Sequence, residues 1–346
     1  MKDKFRLALV GVGKVAVQCH LPAALSLPDI EVAALVDPAR TRIAELAADY
    51  GLHAQISDSV AGLAGKVDGA LIASPNHLHA EAAVALLEAG VPVLIEKPLA
   101  ATVAQGECIV AAAAASGATA GVAYCSRFQP NVRFMGRLLR DNWFGGVRRF
   151  AFQSGTRGGW APFSAYNTHS DAAGGGVIMI TATHFLDRML HWFGQPGAIE
   201  YFDDAEGGPE ANAILRLRFD RPRGEPLTAA LRFSKTRSLP GGMMLDTAKG
   251  RVFFAETDDA WPVFAPPGDD VHLTLQPSER DPFEGRLDRF QRQLLDFVAA
   301  CRAGRDPEVP VAEGLGSLRL IESLYAHRRP LAEAPQEQHP RMEAVS

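Results

Sequence analysis

At 346 residues and 47% hydrophobic content, the chain can bury more than one core, and its length suggests two domains. A formal charge of -5, spread without long like-charge blocks, leaves no electrostatic footprint for nucleic acid or an anionic membrane. Cys19, Cys108, Cys125 and Cys301 show neither disulfide-scaffold nor paired-ligand spacing, so reduced thiols, a cytoplasmic setting and no structural metal are expected.

In chain order, the first residues imitate an export signal, with Lys2 and Lys4 ahead of Leu7 to Val10. That apolar run stops at Gly11, too early for an export core, and no stretch approaches the roughly 20 apolar residues of a membrane span. Phe5 to Val10 reads instead as a buried strand running into Gly11-Val12-Gly13-Lys14-Val15-Ala16, with a helix to about Ser26. The first glycine allows a tight turn, the second lets a pyrophosphate approach the backbone, and the small third residue lets helix pack on strand. The phosphate then rests on the helix N-terminus.

Ile30 to Val36 reads as the second strand and ends at Asp37, roughly 20 residues past the last motif position. A carboxylate there can accept hydrogen bonds from both ribose hydroxyls of NAD. It meets the 2′-phosphate of NADP as a like charge, at about 4 kcal/mol for unit charges ~4 Å apart and an effective dielectric near 20. NAD is the favoured cofactor, with NADP the alternative because Arg40 can pair with that phosphate. Asp37 also suits a helix N-cap ahead of Pro38, and the two roles are compatible.

The unit then repeats: helix Ala39 to Tyr50, strand His53 to Ile56, a short helix near Ser59 to Leu63, strand Gly69 to Ala73, helix His77 to Ala89 and strand Val91 to Ile95. Helix Val103 to Ala115, with its five consecutive alanines, and strand Ala118 to Ala123 complete a first domain over 1–123. Strands alternating with helices predict an α/β, doubly wound parallel sheet. Ligands in such sheets sit beyond the carboxyl ends of the strands. Two loops fall there. Ser74, Asn76 and His79 follow the fourth strand, where Asn76 and His79 either touch ribose or nicotinamide or cap the next helix. Glu96 and Lys97 follow the fifth, as two opposite charges at the end of an apolar run.

After Tyr124 the pattern changes. A helix from about Gln129 to Leu139 leads to strands Val147 to Ser154, Ala198 to Phe202, Ala213 to Phe219, Leu227 to Phe233 and Met243 to Asp246, antiparallel in character and alternating polar with apolar. Turns are expected at 207–209, 222–224 and 240–242. A final helix, Phe283 to Arg302, is expected to pack on the first domain. The second domain spans 124–330, and a loose polar tail covers 331–346. Trp160, Tyr166, Asn167 and His169 lie in a long polar loop, suited to the hydroxyls and ring of a sugar or cyclitol, or else to an oligomer contact. Gly174 to Gly176 then open a helix, Val177 to Phe193, that sets Ile180 and His184 four residues apart on one face.

These motifs resemble the Gfo/Idh/MocA family, named for glucose-fructose oxidoreductase, inositol dehydrogenase and a rhizopine-catabolism protein. The residues carrying the resemblance are Gly11-Val-Gly-Lys-Val-Ala16, His20-Leu-Pro22, Pro75-Asn-His-Leu-His79, Glu96-Lys-Pro98, Tyr124-Cys-Ser-Arg127-Phe128 and Gly174-Gly-Gly176 leading to His184-Phe-Leu-Asp187. They keep the family's order over more than half the chain. The resemblance implies a Rossmann domain joined to an α+β domain with an open, mostly antiparallel sheet that often forms an oligomer interface. It further implies that Lys97 acts at the nicotinamide, and that the Lys97-Pro98 stretch contains a cis peptide. Where the family commonly places an Asp four residues before the His, this chain has Ile180.

The resulting expectation is an NAD(P)-dependent oxidoreductase acting on a secondary alcohol or ketone of a sugar, sugar derivative or cyclitol. Lys97 polarises the oxygen and His184 shuttles the proton; Arg127, Trp160 and Asn167 contact cofactor or substrate. Residues 11–15, Asp37, Ser74, Asn76, His79, Glu96 and Lys97 face the cofactor. Asp187 either orients His184 or forms a helix-surface or interdomain salt bridge. The exposed sheet points to a homodimer or homotetramer. The other readings are a redox-neutral epimerase or glycosidase that keeps its cofactor, and a non-catalytic cofactor sensor.

Overall fold

The computed structural model describes residues 3–157, 174–222, 225–255, 260–268, 271–278 and 288–335. Trp160, Tyr166, Asn167 and His169 lie outside them, as do residues 283–287 of the expected final helix and 336–346 of the expected tail. The described chain divides into two compact units. One runs to Phe128 and takes up residues 288–319; the other begins at Gln129 and includes residues 320–335.

In the first unit, strands β1 (Phe5–Val10), β2 (Ile30–Val36), β3 (Gln55–Ser57), β4 (Gly69–Ile72), β5 (Val93–Ile95) and β6 (Ala120–Val122) form one six-stranded sheet in the order β3-β2-β1-β4-β5-β6. Every pairing is parallel. β4, β5 and β6 are buried along their whole length, as strands covered on both faces must be, so their sequence shows apolar runs rather than alternation. The helices are α1 (Leu21–Ser26), α2 (Arg40–Asp49), α3 (His79–Glu88) and α4 (Val103–Ser116). The Thr102 side chain caps α4 by accepting from Gln105 N, and Gly117, at φ 68°, ends it in the left-handed conformation. No helix forms near Ser59. There Ser57 Oγ donates to Ser59 O and Ser59 Oγ accepts from Ala61 N, so side chains supply the bonds that a helix would otherwise make.

In the second unit, α5 (Pro130–Arg140) precedes a nine-stranded sheet. Its strands are β7 (Val147–Gly155), β8 (Ala198–Asp203), β9 (Asn212–Phe219), β10 (Leu227–Ser234), β11 (Leu239–Thr247), β12 (Gly250–Phe254), β13 (Val263–Ala265), β14 (Leu273–Thr274) and β15 (Arg328–Pro330). The order is β14-β13-β12-β11-β7-β10-β9-β8-β15, antiparallel except at β7·β10 and β8·β15. The turn expected at 240–242 is instead part of β11, where an irregularity in the pairing between Leu239 and Gly242 absorbs the Pro and Gly residues. Helix α6 (Thr183–Phe193) lies on this sheet through Phe185, whose ring stacks on Phe152 with centroids 3.7 Å apart.

Two helices follow, α7 (Arg289–Ala303) and α8 (Val311–Ala326). Asp288 and Gln291 form a capping box at the start of α7, and Leu294, Phe297 and Val298 join the core beneath β1. No element expected from the sequence corresponds to α8. Among the described residues, no helix is long and apolar enough to cross a membrane.

Candidate active site

Strand register sets the site. Val10 pairs with Val36 and with Ile72, and Ile72 pairs with Ile95. The residues that follow them, Gly11, Asp37, Ala73 and Glu96, therefore make the next row at the carboxyl edge. Backbone bonds from Gly11 N to Val36 O (2.7 Å), Ala73 N to Val10 O (2.7 Å) and Glu96 N to Ile72 O (2.8 Å) continue the ladder into that row. The chain reverses its direction of sheet building between β1 and β4, which is where open α/β sheets take their ligands.

Gly11 has φ +84°, and a Cβ there would lie 2.5 Å from Ser74 N, so both conformation and space require glycine. At Gly13 a Cβ would meet only Ala73 O at 3.9 Å, which leaves room for a ligand beside the loop. Lys14 is exposed and Val15 half-buried as the chain turns into helix. Asp37 Oδ2 accepts from Val12 N at 2.9 Å and Oδ1 from Ala39 N at 2.9 Å, so this carboxylate ties the glycine loop to the start of α2. Arg40 pairs with Asp58 at 3.4 Å, both of them exposed. The cation that reaches the loop is Arg42, two residues beyond the arginine that the sequence singles out; its guanidinium donates to Val12 O.

On the neighbouring loop, Ser74 Oγ is buried with no hydrogen-bond partner, and Asn76 is buried. His79 is wholly buried. Its Nε2 lies 2.8 Å from Ser74 O, and its Nδ1 lies 3.1 Å from Pro98 O and 3.3 Å from Leu99 O. It sits between the Ser74 loop and the segment after Lys97, and as a neutral ring its single N–H donates to one of these two sides at a time. Burial pushes its imidazole below the usual range, against the opposing influence of those carbonyls and of Glu96.

Glu96 is also buried. Its Oε1 lies 2.6 Å from His20 Nε2, and its Oε2 accepts from Lys97 N at 2.9 Å. Burial alone raises a carboxyl; here the His20 hydrogen bond and the charges of His20 and Lys97 outweigh it and hold Glu96 below the usual carboxylate range. His20 has no chemical role that its sequence position alone suggests. It closes a π-helical stretch, Ala16–His20, a form often found at functional sites. Lys97 itself is half-buried, and the peptide bond to Pro98 is cis. Arg127 is buried, and its guanidinium donates to Glu313.

In the second unit, another π-helical stretch, Ile178–Ala182, precedes His184, which is half-buried on α6. Asp187 is fully buried, which excludes the helix-surface reading: Phe185 through Met189 are all buried, so this turn of the helix is enclosed on every side. Glu210, 34 residues beyond Gly176, was not legible as a site residue. Its carboxylate accepts from Gly176 N (3.0 Å), Ile178 N (2.9 Å) and Tyr325 OH (2.9 Å), so it caps the stretch that leads to His184. Burial pushes its carboxyl up, partly offset by the Ile178 amide and the Tyr325 hydroxyl. The glycine triplet was the visible signal, since a Cβ on Gly176 would run into the Glu210 backbone and one on Gly175 into the Tyr325 hydroxyl. Trp160 and Asn167 lie outside the described residues. Among the described residues, no group of three or more His, Cys, Asp or Glu side chains is arranged to hold a metal.

Open space at Gly13, an unpartnered Ser74 hydroxyl and a carboxylate at the end of β2 fit a dinucleotide laid across the carboxyl edge, so fold and site define an NAD(P)-binding Rossmann domain. Residues 5–124 match the family model described as an oxidoreductase family with an NAD-binding Rossmann fold. Its cofactor is a nicotinamide dinucleotide. The chain is similar to the rhizopine catabolism protein MocA of Rhizobium meliloti, at 26% identity over 92% of this chain and 94% of that protein. It is 30% identical to a scyllo-inositol 2-dehydrogenase (NADP(+)) of Bacillus subtilis, over 50% of each chain. The aldose-aldose oxidoreductase of Caulobacter crescentus, solved with glycerol, shares the fold at TM-score 0.81 and 24% identity, over 94% of this chain and 97% of that one.

Proposed function

We propose that this chain is an NAD(P)-dependent dehydrogenase that interconverts a secondary alcohol and a ketone on a sugar, sugar derivative or cyclitol. The carrying observation is Lys97: it leaves the carboxyl end of β5 half-buried, its amide is held by Glu96, and the carbonyls that follow it face His79. The inositol substrate named for the Bacillus relative and the aldoses named for the Caulobacter protein support a polyhydroxylated ring or chain as substrate.

When bound, the nicotinamide dinucleotide supplies the two-electron hydride carrier. The backbone of residues 11–15 would hold its pyrophosphate, Asp37 its ribose, and Ser74, Asn76, Glu96 and the loop beside His79 would contact the rest of it. Lys97 donates a hydrogen bond to the reacting oxygen and stabilises the negative charge that develops there. His184 takes the hydroxyl proton; histidine as a class titrates near 6.5, close to the operating pH. With Ile180 in place of the acid that the resemblance implies, either His184 takes the proton without that carboxylate or the substrate is not of the common polyol type. Arg127, Trp160 and Asn167 face substrate or cofactor. The unit that runs to Phe128 and takes up residues 288–319, rather than 1–123 alone, serves the cofactor, and the unit that begins at Gln129 serves substrate and assembly in a cytoplasmic homodimer or homotetramer.

The test is reduced-nicotinamide absorbance with NAD and with NADP against a panel of sugars, inositols and sugar nucleotides. Lys97→Ala is expected to lower turnover by about 10²–10³-fold, with cofactor Kd held within about tenfold. Near-normal turnover in that variant overturns the reading. If NAD is retained through purification and shows no net absorbance change on turnover, the reaction is a redox-neutral one instead.

A further inference from the structure

We propose that His20 is a positioning residue for Lys97, acting through Glu96; this rests on the reading of Lys97 given above. His20 stands 76 residues before Glu96 in the chain, yet its side chain is 2% exposed and its Nε2 lies 2.6 Å from Glu96 Oε1. The Phe290 ring packs perpendicular to the imidazole at a centroid distance of 5.2 Å and restricts the plane from which it meets the carboxylate. The other carboxylate oxygen accepts the amide of Lys97 itself. One carboxylate therefore joins the π-helical stretch behind the glycine loop to the main chain of the lysine.

Two physical consequences follow. A carboxylate this deeply buried is tolerated only with a partner, and removing the partner leaves an uncompensated charge. The relief nearest to hand for Glu96 is to turn toward another donor, which pulls on the residue it already holds. The remaining titratable groups that interact with it are Lys97, His79, Cys19 and Cys125, and Arg289 acts on the two cysteines. Of these, Lys97 is bonded to it through its own backbone. His79 faces the carbonyls on the far side of Lys97 but bonds carbonyls alone, so it does not govern the charge beside the lysine.

The test reads Lys97 directly, without substrate or cofactor. The lysines of the full chain are reductively methylated with ¹³C-formaldehyde, and the Lys97 dimethyl signal is assigned by its loss in Lys97→Arg. His20→Ala and Glu96→Gln are each expected to displace the Lys97 signal while the other lysine signals stay in place. His20→Gln, whose amide can still donate to Glu96, is expected to return it toward the wild-type position. An unmoved Lys97 signal in a folded His20→Ala protein overturns the proposal, as does a His20→Gln signal displaced as far as that of His20→Ala. If His20→Ala fails to fold, the other two variants decide: an unmoved signal in Glu96→Gln, or a His20→Gln signal displaced as far as that of Glu96→Gln, overturns the proposal. The turnover of Lys97→Ala is measured separately, so a coupling without a catalytic lysine and a catalytic lysine without the coupling give different results.

Discussion

Asp37 shows how one side chain serves two ends. Each carboxylate oxygen already holds a backbone amide, that of Val12 and that of Ala39, so the group builds the glycine loop before any ribose reaches it. In the function proposed above its negative charge would meet the 2′-phosphate of NADP, with the Arg42 guanidinium bonded to the same loop at Val12 O. Asp37→Ala is therefore expected to act twice. The ratio of NADP to NAD Kd narrows, since a like-charge contact worth up to about 4 kcal/mol is removed. Stability also falls, by about 1 kcal/mol for each lost hydrogen bond. Titration calorimetry with both cofactors and a thermal melt separate the two effects; an unchanged Kd ratio with a lower Tm makes Asp37 a loop anchor only. Sequence spacing placed this residue at the end of β2 but could not show that its oxygens were already in use, because that depends on where Val12 and Ala39 point after folding.

At the scale of elements, what was legible depended on which force decides. Strands β1, β4, β5 and β6 of the first sheet are short, almost wholly buried apolar runs, and burial on both faces makes such runs unambiguous. Helix α8 escaped because Pro307 and Pro310 stand before it and Gly314, Gly316 and Ser317 within it, which reads as a linker. Packing reverses that propensity: a Cβ on Gly314 would lie 2.5 Å from a methyl of Val122, so the glycine is what lets the helix approach the strand. β12, β13 and β14 are five, three and two residues long, too short to show a period. The capped helix start at 174–178 was half legible, with the glycines visible and Glu210 not. Gly176→Ala drives a methyl into the Glu210 backbone and is expected to cost about 1–3 kcal/mol or more, as overpacking does. That cost lowers Tm by roughly 2–4 °C per kcal/mol in a unit of this size. All four tryptophans, Trp143, Trp160, Trp192 and Trp261, fall within the sequence of the second domain, so intrinsic fluorescence reports on this melt. A Tm within about 1 °C of wild type means that the glycine is not needed for space.

Across the whole molecule, the two units carry buried carboxylates shifted in opposite directions, which gives the chain an opposed response to pH. Glu96 in the first unit is held below the ordinary glutamate value of 4.5 by His20 and Lys97 despite its burial. Its charged form is favoured in the fold, so its contribution is complete above that value and is lost as pH falls through the lower folded pKa. Glu210 in the second unit is raised above 4.5, chiefly by burial. The folded state there binds the proton more tightly than the unfolded one, so stability is greatest below 4.5 and declines as pH rises through the raised folded pKa. Hydrogen exchange followed by mass spectrometry, corrected for intrinsic rates, separates the two regions within one sample. As pH falls toward 4.5, peptides spanning Gly176 to His184 are expected to gain protection, while those spanning Val93 to Leu99 stay level. Below about pH 4.5 the second set is expected to lose protection. Glu210→Gln keeps an acceptor for one helix amide but cannot ionise, so it removes the gain in the first set and leaves the second set's loss intact. A gain that survives in Glu210→Gln assigns the effect to another group and leaves Glu210 as a cap without a titration.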